Sequence, residues 1–359
     1  MYTDMTKHKK KVLVALSGGV DSSVSAALLR EEGHEVHGAF IQSWSPPWLP
    51  CTWREERRDA MRVAAHLKIP FHTIDLSREY EAQVVTYMVG EYAQGRTPNP
   101  DVMCNIHIKF GGFFDWAMRQ GFDQIATGHY ARVVESDGLH TLLSGVDERK
   151  DQTYFLWALT HEHLLRTRFP IGHLKKEDVR ALAETFSLPT ASKKDSQGIC
   201  FLGDINMKEF LEHYIPNRAG DVLTPEGERI GTHDGSMYYT LGQRHGFTIY
   251  KKTPQTPPLY VVAKDIEKNT ITVAPKPVAS ALGRTVAVLS HVVLRENADV
   301  PSFSCSARIR YRQPLFPVEV KNERGVYKVH FPNPEPFVSS GQSIVFYRTD
   351  MCLGGGVLE

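Results

Sequence analysis

The strongest constraint on the fold is a regular alternation of short apolar runs with helix-forming segments along the first half of the chain. The runs KVLVAL (11–16) and EVHGAFI (35–41) alternate with the amphipathic segments SSVSAALLREEG (22–33) and RRDAMRVAAHLK (57–68). Strands separated by helices favour parallel pairing, because each connecting helix must pack on a face of the sheet. The pattern therefore predicts an α/β domain with a parallel sheet over residues 1–206.

The character of the sequence changes after that domain. Gly, Pro and Thr become frequent, helical periodicity fades, and short β-rich runs such as TVAVLSHVVL (285–294) and SIVFYR (343–348) follow one another. Short strands separated by turn residues are typical of small sandwiches and barrels. We predict a central β-rich domain over 207–278 and a C-terminal β-barrel over 279–359.

Composition narrows the class of protein. No stretch of the 359 residues approaches the roughly 18–20 consecutive apolar residues of a membrane helix, so we expect no membrane partner. The cysteines are scattered without any CxxC pair, which predicts reduced thiols in a cytoplasmic protein; they are Cys51, Cys104, Cys200, Cys305 and Cys352. Because the net charge is only +1, any nucleic acid must be bound by a local basic surface.

A glycine-containing loop between the first strand and the first helix predicts an anion site. In ALSGGVDSS (15–23), Gly18 and Gly19 allow backbone N–H groups to approach phosphate oxygens, and the helix N-terminus adds partial positive charge. The lysine of the GxxxxGK[ST] loop is missing, and Asp21 suits either helix capping or Mg²⁺ binding. An ordinary turn is the alternative for a bare SGG, but SGGVDSS resembles the PP-loop of ATP pyrophosphatases and so implies ATP.

One cysteine follows a helix-starting pattern. In GRTPNPDVMCNIHIKF (95–110), Asn99 suits a cap, Pro100 a first helical position and Asp101 the first turn, which places Cys104 near a helix N-terminus. Such a position lowers a thiol pKa, but an ionised Asp101 opposes that effect. If Asp101 is functional, we expect it to move a proton on the substrate.

A second cysteine ends a polar segment, KDSQGICFLG (194–203). Asp195, Ser196 and Gly198 precede Cys200 and suit a sulfur that must move between partners. A single cysteine is most often a small buried apolar residue. Two cysteines in polar segments of a chain with an ATP-type loop favour a functional pair.

Eight motifs together resemble one family over nearly the whole chain, the tRNA-specific 2-thiouridylases. They are SGGVDSS, GRTPNPDVMCNIHIKF, ATGHYAR, KDQTYFLWAL, KKDSQGICF, YTLGQRHG, RYRQP and CLGGGVLE, in that order. The resemblance implies a PP-loop catalytic domain of the adenine nucleotide α hydrolase-like type. It also implies an activity, the ATP-dependent 2-thiolation of the wobble uridine (position 34) of tRNA, giving 2-thiouridine, AMP and pyrophosphate.

The same resemblance implies roles for three residues. Cys200 would carry a persulfide loaded by an upstream sulfur carrier or a cysteine desulfurase, and Cys104 would release the sulfur and leave a Cys104–Cys200 disulfide. Asp101 would handle the proton transfers. One thiol as carrier and one as resolving thiol is also what thiol–disulfide chemistry requires.

Binding residues are likewise implied by the resemblance, together with ATP, Mg²⁺, a tRNA partner and a monomeric state. The implied ATP contacts are Ala15, Leu16, Ser17, Gly18, Gly19, Val20, Asp21, Ser22, Ile41 and Gly128. The implied tRNA contacts are Asn99, Pro100, Asp101, Lys150, Asp151, Gln152, Arg310 and Tyr311. Ile41 and Ile106 depart from the common family pattern, in which methionine and lysine are usual.

An arginine-rich run near the C-terminus predicts a local basic surface. ARIRYRQ (307–313) would place Arg308, Arg310 and Arg312 on one face of a strand. A solvated charged face above a buried one is the equally weighted alternative. Arginine contacts to phosphates would make RNA binding strongly dependent on salt.

Other interpretations stay open at this point. His129 invites a metal site, but no His/Cys cluster has ligand spacing, so we predict a hydrogen-bonding histidine and no metal. A small-molecule PP-loop ligase, an RNA-binding module with a degenerate loop, and a 4-thiouridine or 2-thiocytidine enzyme are the rival functions. For the Trp/Pro-rich segment 42–56 we predict only a surface loop.

Overall fold

The computed structural model describes residues 9–48, 53–195, 198, 200–201, 203, 205–251, 253–296 and 300–359, with the side chains of 277 and 279 left out. Cys51 and Ser196 therefore lie outside the described residues. The chain divides into two compact units. The first comprises Met1–Val84, Asp101–Asp204 and Asp350–Cys352; the second comprises Val85–Pro100, Ile205–Thr349 and Leu353–Glu359.

The strands and helices are numbered in chain order. The strands are β1 (Lys11–Ala15), β2 (Glu35–Gln42), β3 (Phe71–Asp75), β4 (Gln124–Ala126), β5 (Ala131–Ser136), β6 (Leu139–Ser144), β7 (Thr167–Arg168), β8 (Gly220–Leu223), β9 (Arg229–His233), β10 (Thr248–Ile249), β11 (Leu259–Asp265), β12 (Thr270–Pro275), β13 (Arg284–Leu294), β14 (Ser302–Arg308), β15 (Phe316–Glu323), β16 (Val326–Glu335), β17 (Ser343–Arg348) and β18 (Met351–Leu358). The α-helices are α1 (Val20–Glu31), α2 (Trp53–Leu67), α3 (Ser77–Tyr80), α4 (Thr86–Ala93), α5 (Pro100–Cys104), α6 (Phe113–Arg119), α7 (His161–Leu165), α8 (Lys176–Thr185), α9 (Met207–Glu212) and α10 (Lys276–Ala281). Among the described residues, no helix combines the length and apolar character needed to cross a bilayer.

A five-stranded parallel sheet forms the centre of the first unit, in the order β3-β2-β1-β4-β7. The central strand β1 is fully buried at Val12 and Val14, where it packs with residues of α1, α2 and α8. Both faces of this strand are covered, which is why its sequence is continuously apolar. The parallel sheet predicted from the alternation is confirmed.

The helix that carries the first cysteine is irregular. After α5 ends at Cys104, a π-helical segment (Asn105–Gly112) continues directly into α6. Wide helical turns of this kind change the direction in which side chains project and occur frequently at functional sites. The irregular segment therefore sets the directions of the side chains that follow Cys104.

Two sheets form the second unit. One is mainly antiparallel, in the order β10-β9-β8-β12-β11. The other contains six strands in the order β13-β16-β15-β14-β17-β18 and closes through antiparallel pairing of β13 with β18. Closure leaves these six strands without a free edge, and the barrel predicted for the C-terminal part is confirmed.

The strand predicted for the arginine-rich run is shorter than expected. β14 ends at Arg308, and Arg310 and Arg312 lie in the turn that follows, with Arg312 at a φ of +63°. The side-chain oxygen of Gln313 accepts a hydrogen bond from the Ile309 N–H at 2.9 Å, in place of a strand partner. The prediction that three arginines share one strand face is therefore wrong.

Candidate active site

The glycine loop joins the end of β1 to the start of α1 in the geometry that the sequence predicts. Gly18 has a φ of +75°, which L-residues with side chains rarely adopt, and Gly19 is the extended residue that precedes the helix. The Ser22 hydroxyl oxygen accepts from the Ser17 N–H at 3.2 Å. A twelve-residue helix begins at once, so its unpaired N–H groups and its dipole face the loop.

Gly128 lies directly against this loop. A Cβ atom at Gly128 would be 2.7 Å from the Ser22 nitrogen and 2.9 Å from the Asp21 carbonyl carbon. Both contacts are with backbone, which cannot move aside cheaply. The structure thus brings Gly128 to the first turn of α1, although more than a hundred residues separate them in sequence.

Asp21 is held by two donors from other elements. Its carboxylate accepts from the Tyr130 hydroxyl at 2.9 Å and from the Lys176 ammonium at 2.7 Å. The residue that precedes α1 is Gly19, and no side chain caps the helix there. Of the two tasks proposed for Asp21, helix capping is therefore not observed. The Lys176 ammonium reaches the loop from α8, a contact that the linear pattern did not reveal.

An ionic cluster connects the loop to the start of the segment that carries Cys200. The Asp195 carboxylate binds Lys150 and Lys176 at 2.8 Å and Arg180 at 2.6 Å. Partial burial raises the Asp195 pKa, but the hydrogen bonds from the two lysines lower it more, so that the pKa lies well below its usual range. Lys176 therefore bridges Asp21 and Asp195.

Asp195→Asn should destabilise the protein in a pH-dependent way. Because the folded pKa lies below the unfolded value of about 3.9, the folded state binds fewer protons. The ionised group therefore contributes its full stabilisation above that pH and loses it progressively as the pH falls toward the folded pKa. We expect the variant to lose ~1 kcal/mol at pH 7, a modest value because this cluster is partly solvated. The difference should shrink as the pH falls below about 4.

Urea unfolding at several pH values, followed by circular dichroism, measures this effect. Glu184→Gln is the matched control, because Glu184 is an exposed carboxylate of the neighbouring α8. A difference between Asp195→Asn and wild type that stays the same at pH 3 and pH 7 would contradict the ionic origin of the effect.

The structure brings the two predicted cysteines into contact. The Cys104 Sγ donates a hydrogen bond to the Cys200 Sγ at 3.3 Å, across 96 residues of sequence. Cys104 is fully buried and Cys200 is half-buried, and both are free thiols. The pair is therefore close enough to form a disulfide by a small movement of the two sulfurs, whose bonded separation would be about 2.05 Å.

The backbone of Cys200 is held on both sides. Its N–H donates to the Asp101 carboxylate at 2.9 Å, and its carbonyl oxygen accepts from the Tyr80 hydroxyl at 2.7 Å. Phe201 adopts a φ of +66° and its ring meets the Tyr80 ring edge-on at 5.9 Å. Tyr80 is fully buried and was missed by sequence reasoning, since a tyrosine in an amphipathic helix carries no distinctive signal.

The two thiols differ in pKa: the pKa of Cys104 is raised and that of Cys200 is lowered. Burial raises the Cys104 pKa, and that effect outweighs its position in α5, whereas the hydrogen bond from Cys104 is the main cause of a lowered Cys200 pKa. Burial also raises the Asp101 pKa. Of the opposing effects that the sequence suggests for Cys104, neither decides its pKa, because burial dominates; Cys200 has the lower pKa of the two thiols.

A lysine and a histidine complete the site. The Lys109 ammonium lies 3.3 Å from the His129 Nε2, and the His129 Nδ1 lies 2.8 Å from the Thr127 hydroxyl. Burial lowers the His129 pKa, which keeps the ring neutral. No group of three possible metal ligands occurs in the part of the chain that the structure describes. The hydrogen-bonding role predicted for His129 is confirmed.

Lys109 was not singled out in the sequence. A possible signal is a cation inside the apolar helical run IHIKF, where a lysine is costly unless it is paired. Lys109 lies three residues after Ile106 in the same π-helical segment.

The residues implied as tRNA contacts differ in their surroundings. Asp151 is buried, and its carboxylate accepts from the Gly145 N–H at 3.1 Å and the Thr153 hydroxyl at 2.9 Å. The Gln152 side-chain oxygen accepts from the Tyr130 N–H at 3.0 Å. These two side chains hold the local turn. Lys150 keeps about a third of its side chain exposed beside Asp195.

In the second unit, Arg310 and Tyr311 lie in the turn after β14. The Arg310 guanidinium donates to the Leu241 carbonyl and lies 6.0 Å from the centre of the Phe337 ring. Ile41 is buried in β2, whose neighbour β1 leads into the glycine loop.

Family models match three consecutive parts of the chain. Residues 10–204 match a model described as tRNA methyl transferase HUP domain, residues 208–275 one described as tRNA methyl transferase PRC-barrel domain, and residues 285–358 one described as Aminomethyltransferase beta-barrel domain. The first match alone covers more than half of the chain.

Curated relatives match nearly the full length. The chain is 44% identical over 358 residues to the tRNA-specific 2-thiouridylase MnmA of Streptococcus thermophilus (strain CNRZ 1066), covering 98% of this chain and 95% of that protein. It is 46% identical over 356 residues to the tRNA-specific 2-thiouridylase MnmA 1 of Geobacillus kaustophilus (strain HTA426), covering 98% and 96%.

Solved structures match less extensively. The U34-tRNA thiolase NcsA from Methanococcus maripaludis gives a TM-score of 0.37 at 17% identity, covering 55% of this chain and 65% of that one. A 4-thiouridine synthetase in complex with RNA and ATP gives 0.34 at 17% identity, covering 58% and 50%.

Proposed function

Because this chain belongs to the tRNA-specific 2-thiouridylase family, we propose that it uses ATP to convert the wobble uridine of tRNA, at position 34, into 2-thiouridine. The observation that carries the proposal is the pair of free thiols of Cys104 and Cys200, 3.3 Å apart. The π-helical segment that follows Cys104 also reaches the residues beside the glycine loop. Lys109 contacts His129, and the adjacent Gly128 touches the first turn of α1.

The first step activates C2 of the uridine, whose carbonyl is a poor electrophile. The uridine O2 attacks the α-phosphate of ATP, an O–P bond forms, and pyrophosphate leaves with the electrons of the broken P–O bond. In this proposal the loop N–H groups and the N-terminus of α1 bind the phosphates. Mg²⁺ would offset phosphate charge there, and Asp21 is the carboxylate of the loop that would hold it.

The second step transfers sulfur. We propose that a persulfide carrier or a cysteine desulfurase loads Cys200, whose terminal sulfur then attacks C2 of the adenylated base while AMP departs with the former O2. Cys104 next attacks the Cys200 Sγ, so that the Cys104–Cys200 disulfide forms and 2-thiouridine is released. A dithiol reductant returns the two electrons. Asp101, whose pKa is raised by burial, would accept and return protons in these steps.

Recognition of tRNA is proposed for both units. Lys150 offers a partly exposed cation in the first unit, and Arg310 and Tyr311 offer a guanidinium and an aromatic ring in the second. Asn99 and Pro100 stay proposed contacts at the start of α5. Asp151 and Gln152 stay proposed tRNA contacts beside Lys150, in the turn that their side chains support. The target base must leave the anticodon stack to be modified.

The reaction itself gives the test of the proposal. The full-length protein, unmodified tRNA with a wobble uridine, ATP, Mg²⁺ and a persulfide donor should yield 2-thiouridine, identified by mass spectrometry of the digested nucleosides. Cys305→Ser is the matched control and should retain full activity, because Cys305 belongs to β14 of the second unit, whereas the cysteine pair belongs to the first unit. Raising the salt concentration from about 50 to 200 mM should weaken tRNA binding severalfold or more.

Each rival function predicts a different result in that assay. A 4-thiouridine or 2-thiocytidine product would replace the proposed base specificity. Pyrophosphate release without any thiolated nucleoside would favour a small-molecule ligase, and tRNA binding without pyrophosphate release would favour an RNA-binding module. We also propose that the protein acts as a monomer in the cytoplasm, which gel filtration and fractionation would test.

A further inference from the structure

The backbone is strained directly after the cysteine that is proposed to carry sulfur. Phe201 has a φ of +66°, in the left-handed region where the Cβ of a bulky residue crowds the main chain. Such a conformation persists only where the surrounding contacts hold it, and it occurs most often at functional sites. The contacts on either side of the Cys200–Phe201 peptide therefore identify the residues that maintain it.

One residue, Tyr80 at the end of α3, contacts both sides of that peptide. Its hydroxyl donates to the Cys200 carbonyl oxygen at 2.7 Å, and its ring meets the Phe201 ring edge-on, with the ring centres 5.9 Å apart. The Tyr80 side chain is fully buried, and burial raises its pKa well above the usual value, so the hydroxyl stays protonated as a donor. The hydroxyl and the ring thus act together on the strained peptide.

A second hydrogen bond fixes the other side of Cys200. The Cys200 N–H donates to the Asp101 carboxylate at 2.9 Å. Asp101 belongs to α5, the same helix as Cys104, whereas Tyr80 belongs to α3. The main chain of Cys200 is therefore held between two helices, and one of them carries the partner thiol.

These two hydrogen bonds decide where the Cys200 sulfur lies. Cys200 is in a turn, outside any helix or strand, so its position depends on such contacts. Cys104, by contrast, is fully buried at the end of α5. In the position that the hydrogen bonds maintain, the two Sγ atoms are 3.3 Å apart. A small movement then suffices to bring them to bonding distance, about 2.05 Å.

We propose that Tyr80 is a positioning residue that holds Cys200 opposite Cys104 and thereby promotes the joining of the two sulfurs when 2-thiouridine is released. This inference rests on the proposed function and adds a residue to its last step. In that step the Cys104 thiol loses its proton, and its sulfur attacks the Cys200 Sγ. The bond between the two cysteines forms, and the sulfur on the base leaves Cys200 with the electrons of the broken sulfur–sulfur bond.

Pre-organisation is the physical basis of this role. Two groups held in reacting geometry meet at an effective concentration far above that of freely moving groups. Without the Tyr80 hydroxyl, the Cys200 carbonyl loses this donor, and less remains to offset the strain at Phe201. The turn would then also occupy conformations in which Cys200 is farther from Cys104. Tyr80 acts through the position of Cys200 and takes no part in the bond changes.

The test measures how readily the disulfide forms in the full-length protein without tRNA or ATP. The protein is equilibrated at pH 7 with glutathione and glutathione disulfide in varied ratios, and the remaining thiols are trapped by alkylation. Each disulfide formed takes two electrons from the cysteine pair and converts one glutathione disulfide into two glutathione thiols. Mass spectrometry of the Cys104 and Cys200 peptides gives the oxidised fraction in wild type, Tyr80→Phe and the control Tyr250→Phe. Tyr250 is exposed and belongs to the second unit.

We expect Tyr80→Phe to lower the equilibrium constant for disulfide formation by about tenfold, because the lost hydrogen bond no longer favours the paired geometry. The phenyl ring keeps the packing against Phe201, so the fold should stay intact, which urea unfolding checks. Tyr250→Phe should match wild type within about twofold. If Tyr80→Phe does not fold, Phe201→Leu, which removes the ring contact and leaves Tyr80 in place, should lower the constant severalfold.

A second measurement separates positioning from a merely structural role. With tRNA, ATP and a persulfide donor, Tyr80→Phe should release pyrophosphate in the first turnover at a rate within a few-fold of wild type. Formation of 2-thiouridine should be slower by about tenfold, because only the later step needs the paired sulfurs. Equal loss of both products would mean that Tyr80 only supports the fold, and would overturn the proposal.

An equilibrium constant within about twofold of wild type in folded Tyr80→Phe also overturns the proposal. The glutathione titration contains neither substrate, so it separates this inference from the proposed function. A lowered constant in a protein that makes no 2-thiouridine would support the role of Tyr80 and reject the thiolation reaction. An unchanged constant in an active enzyme would do the reverse.

Discussion

Cys200→Ser should abolish 2-thiouridine formation, with a loss of about a thousandfold or more, while the first turnover of pyrophosphate release persists. The serine oxygen cannot carry the transferable sulfur, since it forms no persulfide. ATP binding rests on the loop between β1 and α1, which this substitution leaves intact. The adenylated uridine should therefore form and then hydrolyse without receiving sulfur.

The experiment follows two products from one reaction, labelled pyrophosphate and modified nucleoside. Cys305→Ser is again the control, because it removes a thiol without touching the cysteine pair. Retention of 2-thiouridine in Cys200→Ser would exclude the persulfide mechanism and would favour an enzyme that uses free sulfide. Loss of both products would show that Cys200 is needed for the site to form.

Gly128→Ala should reduce ATP cleavage by about a hundredfold or more. The added methyl group would lie 2.7 Å from the Ser22 nitrogen, closer than carbon and nitrogen atoms approach without a bond. The first turn of α1 would have to shift, and its N–H groups would no longer meet the phosphates in the required geometry. The effect should fall on pyrophosphate release and, through it, on thiolation.

Gly90→Ala is the matched control for that substitution. Gly90 lies inside α4 and has no positive φ. Apart from its chain neighbours and the backbone of its own helix, no heavy atom of a described residue lies within 4 Å of the position where a Cβ would be placed. Alanine should be tolerated there and should stabilise the helix by up to about 1 kcal/mol. Alkylation of the Cys200 thiol with iodoacetamide at pH 7 should proceed in Gly128→Ala at a rate within a few-fold of wild type, because the substitution does not touch the cysteine pair. ATP cleavage near the wild-type rate would contradict the role of the Gly128 contact.

The fold followed largely from local patterns. The apolar runs around β1 and β2 and the amphipathic segments of α1 and α2 have the period and length of their elements, so the parallel sheet could be predicted. The strand predicted for the arginine-rich run was wrong beyond Arg308, and the reason is local. Alternation in ARIRYRQ has the period of a strand, but Gln313 satisfies the Ile309 N–H from its side chain, and the strand ends at Arg308.

The amino-acid sequence by itself determined the chemistry that is available: a loop shaped for phosphates, two cysteines in polar segments, and motifs specific enough to name a family. Only the tertiary structure decided which cysteine ionises, because burial of Cys104 and the donors that face Cys200 arise from contacts across 96 residues. It likewise decided that the Lys109 ammonium meets His129 and that the Lys176 ammonium meets Asp21 of the loop. The pKa of a group depends on the charges, donors and solvent around it in space, and none of these can be read from its neighbours along the chain.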